Sequence, residues 1–200
     1  MKRIAILGLA AAALLAVGVT GAFGKAPGLT LSTKKGPLAK GAELKAVSAN
    51  VVTKTSKGSL ECGEDILNWT LSTNGSSKDK GSIVSGENKG GGKNANECKS
   101  SIGSVKFTDL KLPWALQLSS KGTGEIKKSV IEAEFTELAG AKCTYEGKKA
   151  RLIFATSGAL VLKVAESKYK VVKGSNAACP AEGKLNGEFV VTSGGETVEV

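Results

Sequence analysis

The stretch Leu110-Lys111-Leu112-Pro113-Trp114-Ala115-Leu116-Gln117-Leu118 sets an apolar side chain at every second position, with Lys111 and Gln117 between. Successive side chains of a strand point to opposite faces, so a period of two describes one buried face and one wet face. The alternation recurs where Ile131, Ala133 and Phe135 are interleaved with Glu132, Glu134 and Thr136, and again through Leu160, Leu162 and Val164. Turn signals punctuate these runs at Lys57-Gly58, Asn74-Gly75, Lys80-Gly81, Lys121-Gly122, Glu146-Gly147, Asn186-Gly187 and Gly194-Gly195. Many short strands and no convincing helical stretch predict an all-β fold, either an antiparallel β-sandwich of Ig-like architecture or a barrel.

Four cysteines, Cys62, Cys98, Cys143 and Cys179, follow one another at spacings of 36, 45 and 36 residues. An even count in an exported chain reads as two disulfides, for which sequence permits three connectivities. The repeated spacing favours Cys62–Cys98 and Cys143–Cys179. A shift of the chain that superimposes the two cysteine pairs also brings Val47–Cys62 loosely onto Val130–Cys143. The domain at 42–200 is therefore expected to contain two pseudo-repeats, about 42–120 and 124–200. An immunoglobulin pattern would need a longer spacing both between its cysteines and from cysteine to tryptophan. Trp69 and Trp114 each sit among leucines on an apolar face and read as core.

Export is read from the first segment. Lys2 and Arg3 precede an uncharged apolar run, Ile4 to Val19, and the small residues Ala22 and Gly24 fit the −3 and −1 positions of a cleavage site. Residues 1–24 thus read as a signal peptide, removed to leave a secreted protein with no membrane span. Residues 25–41 read as a flexible basic linker, and Ser85–Glu97, with its three consecutive glycines, as a long mobile loop.

The chain has 28 Lys and Arg against 18 Asp and Glu, a net charge of +10, which falls to +8 once Lys2 and Arg3 are removed. Arg3 and Arg151 are the only arginines, and 4% of residues are aromatic. Specific nucleic-acid readers use arginine forks and aromatic platforms, so a specific nucleic-acid partner is not expected. Lys25, Lys34, Lys35, Lys40 and Lys45 cluster after the expected cut with only Glu43 opposing them, and are the candidate anion contacts.

The chain contains no histidine, which removes Ser-His-Asp and Cys-His catalysis. No C-x-x-C pair or D-x-D calcium loop occurs, and Asp65, Asp79 and Asp109 look isolated. Glu132 and Glu134 fall on a wet face. No catalytic residue, metal or cofactor is expected.

The run Leu60-x-Cys62, Trp69 to Gly75, Lys78 to Ile83, Leu112-Pro113-Trp114, Cys143-Thr144-Tyr145, Cys179-Pro180 and Gly187 to Thr192 resembles small exported β-proteins of unknown function in high-GC Gram-positive soil bacteria. That resemblance implies secretion and the same architecture, and brings no activity. The expected function is a non-enzymatic extracellular or cell-surface protein whose lysines touch anionic wall polymers. The alternative is a small-ligand or carbohydrate-binding β-sandwich, or, less favoured, a carboxylate-based hydrolase.

Overall fold

The computed structural model describes residues 28–101, 103–172 and 175–200. The expected signal at 1–24 and the candidate contact Lys25 lie outside them. A short hairpin, β1 (Ser32–Thr33) and β2 (Gly36–Pro37), comes first. Eight lengths of chain then run up and down, each hydrogen-bonded to the next. The first is β3 (Glu43–Ser48) continued by β4 (Val51–Thr55), and the second is β5 (Gly58–Cys62) continued by β6 (Glu64–Thr73). The third is β7 (Lys78–Lys89) followed by β8 (Cys98–Ser100), and the fourth is β9 (Gly103–Leu110) followed by β10 (Trp114–Ser119). Four long strands complete the series: β11 (Thr123–Phe135), β12 (Ala141–Ile153), β13 (Val161–Val171) and β14 (Glu182–Ser193). A last short strand, β15 (Glu196–Thr197), folds back on β14.

β14 pairs with both β3 and β4, through Val190↔Val47 and Gly183↔Thr55 among others, so the last length closes on the first. The ladder runs around a complete ring. Of the two architectures that alternation predicts, a sandwich leaves open sheet edges. Here closure removes them, and the fold is an eight-stranded up-and-down antiparallel barrel. Eight strands give an interior just wide enough to be filled by side chains. A larger cluster containing Trp69, Leu71, Ile83, Leu116, Leu118 and Val191 occupies one half. A smaller one, with Leu60, Val105, Phe135, Tyr145 and Tyr169, occupies the other. The outer wall carries lysines and glutamates at mid-height, the depth at which a transmembrane barrel shows apolar side chains to lipid. Among the described residues no helix is long and apolar enough to cross a membrane.

Near one level of the barrel the in–out alternation changes phase. Ala49-Asn50, Lys127-Lys128 and Lys148-Lys149 each put two consecutive residues outside, and Lys128 and Glu166 adopt φ of 56° and 47°. Such irregularities bend a strand and re-aim its side chains. They form a waist between the two interior clusters.

Four sequence expectations are corrected. Leu110–Leu118 is not one strand: β9 ends at Leu110, and β10 begins at Trp114 after a cis Leu112–Pro113 bond. Proline cannot donate to the ladder, so the strand breaks there. Lys80-Gly81, Glu146-Gly147 and Asn186-Gly187 are not turns but lie inside β7, β12 and β14. Gly81 lies against the Trp69 ring, and Gly147 lies against Ser129 and the Tyr169 ring. A Cβ would meet each of those rings at 2.7 Å. The segment from residue 28 to 41 is not a flexible linker: Leu29 and Leu31 are 3% and 0% exposed. The Asn74 side chain accepts from Leu31 N (2.7 Å) and donates to the Leu31 and Leu38 carbonyls (both 2.8 Å). With Leu160 and Val198 this segment caps one barrel end, because leucines left in water would forfeit their burial. Ser85–Lys89 belongs to β7, and only Gly90–Glu97 loops out. That loop is tied back by Gly90 N→Ala95 O, Gly92 N→Glu97 O and Lys93 N→Ser104 Oγ.

The bridges are Cys62–Cys98 and Cys143–Cys179, with Cα separations of 4.4 and 5.6 Å. Both lie toward the end opposite the Leu29–Leu31 cap. No free cysteine is present among the described residues.

Candidate functional site: a lysine-lined groove at the waist

β12 and β13 pair at Tyr145↔Val171 and Glu146↔Lys170, and again at Leu152↔Val164 and Ile153↔Lys163. Between these pairs the ladder is interrupted by the kink at Glu166. The Ser167 hydroxyl fills the gap, accepting from Arg151 N at 3.0 Å. The splayed strands leave an outer groove of about 480 Å³ lined by Lys148, Lys149, Lys168 and Lys170, with Glu146 as its one carboxylate and Val171 and Val172 as its apolar floor. Lys168 stands opposite Lys184, and Lys184 opposite Lys54, so the positive row continues around the barrel. Like charges directly opposite on a sheet repel and are destabilising unless something compensates them.

Part of that charge is balanced internally. Glu125 takes both Lys127 (2.7 Å) and Lys149 (2.5 Å), and those lysines hold its carboxyl below the usual range. Lys142 is paired with Glu132 (3.0 Å) and Glu134 (3.7 Å), which places the two expected wet-face glutamates in an exposed ion-pair group. Lys163 pairs with Glu188 and Lys184 with Glu166. Lys148, Lys168 and Lys170 have no ion pair among the described residues.

The sequence-predicted contacts sit elsewhere. Lys34 and Lys35 form the β1–β2 turn, where Lys35 pairs with Glu196 at 2.9 Å. Lys40 lies in the turn before β3. Lys45 is on β3, in a separate groove of about 530 Å³ with Glu43, Asn68 and Val84. The structure spreads these four around the capped end and instead brings together lysines from β12 and β13. The signal for the groove is present in the sequence as the Lys148-Lys149 step, which interrupts an alternating run.

Inside the waist, Asp65 of β6 and Asp109 of β9 line a cavity of about 60 Å³, to which all eight lengths of the barrel contribute. Asp65 is 8% exposed. One oxygen of each carboxyl, Asp65 Oδ1 and Asp109 Oδ2, is buried without a hydrogen-bond partner. Asp109 lies across Gly86, where a Cβ would meet its Oδ2 at 2.0 Å. Burial, and then the Asp109 charge, push Asp65 up to about 8. Burial pushes Asp109 up to about 6 and Tyr169 up to about 12. The Tyr169 hydroxyl accepts from Ser129 Oγ at 3.0 Å. Asp65 and Asp109 look isolated in sequence because they stand on lengths of chain separated by β7. Asp79 lies at the β6–β7 turn, outside this cavity: its Oδ1 accepts from Ser76 N (3.0 Å) and Ser76 Oγ (2.9 Å), while its Oδ2 is also buried without a partner.

Compared with protein-family models, curated proteins and solved structures, the chain matches none.

Proposed function

We propose that this chain is an exported, non-enzymatic β-barrel that associates with anionic polymers of the cell wall through the lysine groove at its waist. The observation that carries the reading is the convergence of Lys148, Lys168 and Lys170, none of them ion-paired among the described residues, on one groove whose only lining carboxylate is Glu146, with Lys149 beside them already paired to Glu125. Lysine is a compact, hydrated point charge on a flexible stem, suited to repeated anionic groups and poorly suited to bidentate readout of one ligand. Two disulfides and a closed ladder suit an oxidising compartment with no chaperoning. A small-ligand or carbohydrate carrier would use the lumen. Its cavity of about 60 Å³ falls well below the roughly 300 Å³ at which small-molecule pockets begin.

The test is pull-down on purified Gram-positive wall and on linear polyphosphate across a salt series. The wild type should bind at low salt and be released by about 0.3 M NaCl, where screening acts over a few ångströms. The triple variant Lys148→Gln, Lys168→Gln, Lys170→Gln should bind about 3- to 100-fold more weakly, since each contact at a surface contributes about 0.2–1 kcal/mol. Lys34→Gln with Lys40→Gln should bind like the wild type. Equal binding by the triple variant and the wild type would discard the groove.

A further inference from the structure

We propose that the waist cavity is a site for one hard divalent cation, held between the carboxylates of Asp65 and Asp109. Asp65 and Asp109 line the same cavity; Asp65 is more than nine-tenths buried with no hydrogen-bond donor at its Oδ1, and Asp109 Oδ2, packed against Gly86, is likewise buried without a donor. Buried carboxyl oxygens normally have partners, so two such atoms in one cavity point to a ligand that supplies positive charge. The remaining polar wall is made of neutral oxygens. Thr53 and Asn88 line the same space, and Asn88 Oδ1 lies 3.7 Å from the bridged Cys62 sulfur. Carboxylate, amide and hydroxyl oxygens select hard ions, and the absence of histidine and of free cysteine among the described residues leaves no soft donor. The volume of about 60 Å³ accommodates an ion with about three waters, at roughly 10–15 Å³ of probe space each. Two carboxylates neutralise one divalent charge, and the described residues contain no cluster of three or more acidic, histidine or cysteine ligands, so the affinity is modest.

Thermal melts of the whole mature chain in chelated buffer, then with about 10 mM CaCl2, MgCl2 or NaCl at matched ionic strength, read the site directly. For the sub-millimolar to millimolar affinity of such oxygen sites, a divalent ion should raise Tm by about 4–7 °C. NaCl should not. Equilibrium dialysis with CaCl2 should return one ion per chain. Asp65→Asn and Asp109→Asn, which keep the shape and remove the charge, should each abolish the shift. Glu132→Gln with Glu134→Gln on the outer wall should retain it. No shift with either divalent ion, a shift that survives in both aspartate variants, or binding that persists in them by dialysis would overturn the assignment.

Discussion

Replacing Asp65 by asparagine should stabilise the barrel near pH 8 and flatten the dependence of its stability on pH. Burial raises the folded carboxyl to about 8 from an ordinary value of 3.8. Between those limits the folded state keeps a proton that the unfolded state has released, so stability is present at low pH and is lost as pH rises toward the folded value. The slope is about 1.4 kcal/mol per pH unit for one group, which makes about 4 kcal/mol between pH 5 and pH 8 an upper figure for Asp65. Asp109, raised to about 6, acts with the same sign over the lower part of that window. The surface carboxylates Glu87, Glu125, Glu137 and Glu196 are all lowered by their lysine, threonine or backbone partners, so their contribution is lost below the ordinary glutamate value, outside the window. Asp79, raised by burial as well, acts with the same sign, so it is the difference between the wild type and Asp65→Asn, in urea unfolding at pH 5, 6, 7 and 8 with a chelator present, that reads Asp65. The wild type should lose a few kcal/mol across the series, and Asp65→Asn should lose clearly less. A wild-type stability that is flat or rising across this range, or an Asp65→Asn profile parallel to it, would refute the reasoning.

Reduction of the two bridges should lower Tm strongly: each closes 36 residues, worth about 3–4 kcal/mol in the chain-entropy account. An unchanged melt with reductant would remove that role. Leu31→Ala should cost about 2–5 kcal/mol, because Leu31 is fully buried in the capped end. A neutral result in denaturant titration would restore the flexible-arm reading. Gly147→Val should cost about 2 kcal/mol or more, since its side chain would collide with Ser129 and the Tyr169 ring, and a wild-type melting curve would contradict the packing described. Mass spectrometry of the exported protein should find Lys25 as the first residue, and an intact Met1 in the membrane fraction would contradict cleavage.

Where the sequence misled, a local pattern had two physical sources. Gly81 and Gly147 look like turn glycines, yet they stand in mid-strand because an aromatic ring needs the space of their missing Cβ. Chain-local reading cannot distinguish a glycine that bends the backbone from one that admits a neighbour. Lys34, Lys35, Lys40 and Lys45 look like a cluster because they are near in sequence, whereas Leu29 and Leu31 draw the segment from residue 28 onto the barrel end and fan these lysines apart. Glu132 and Glu134 stand on the wet face that alternation predicts for them, paired with Lys142, since alternation alone decides the face within a regular strand.

Alternation by itself determined the all-β class and the burial of Trp69 and Trp114, and of the three connectivities open to the cysteines the one their spacing favours is the one formed. These depend on period and on the chain's own spacing. Tertiary structure alone decided that the sheet closes on itself, because closure rests on β14 meeting β3 and β4 across some 140 residues of chain. Closure in turn decided which charges meet. Asp65 and Asp109 face one cavity, and Lys148 and Lys168 one groove, because in a ring the strands' curvature, and not their order alone, brings side chains together.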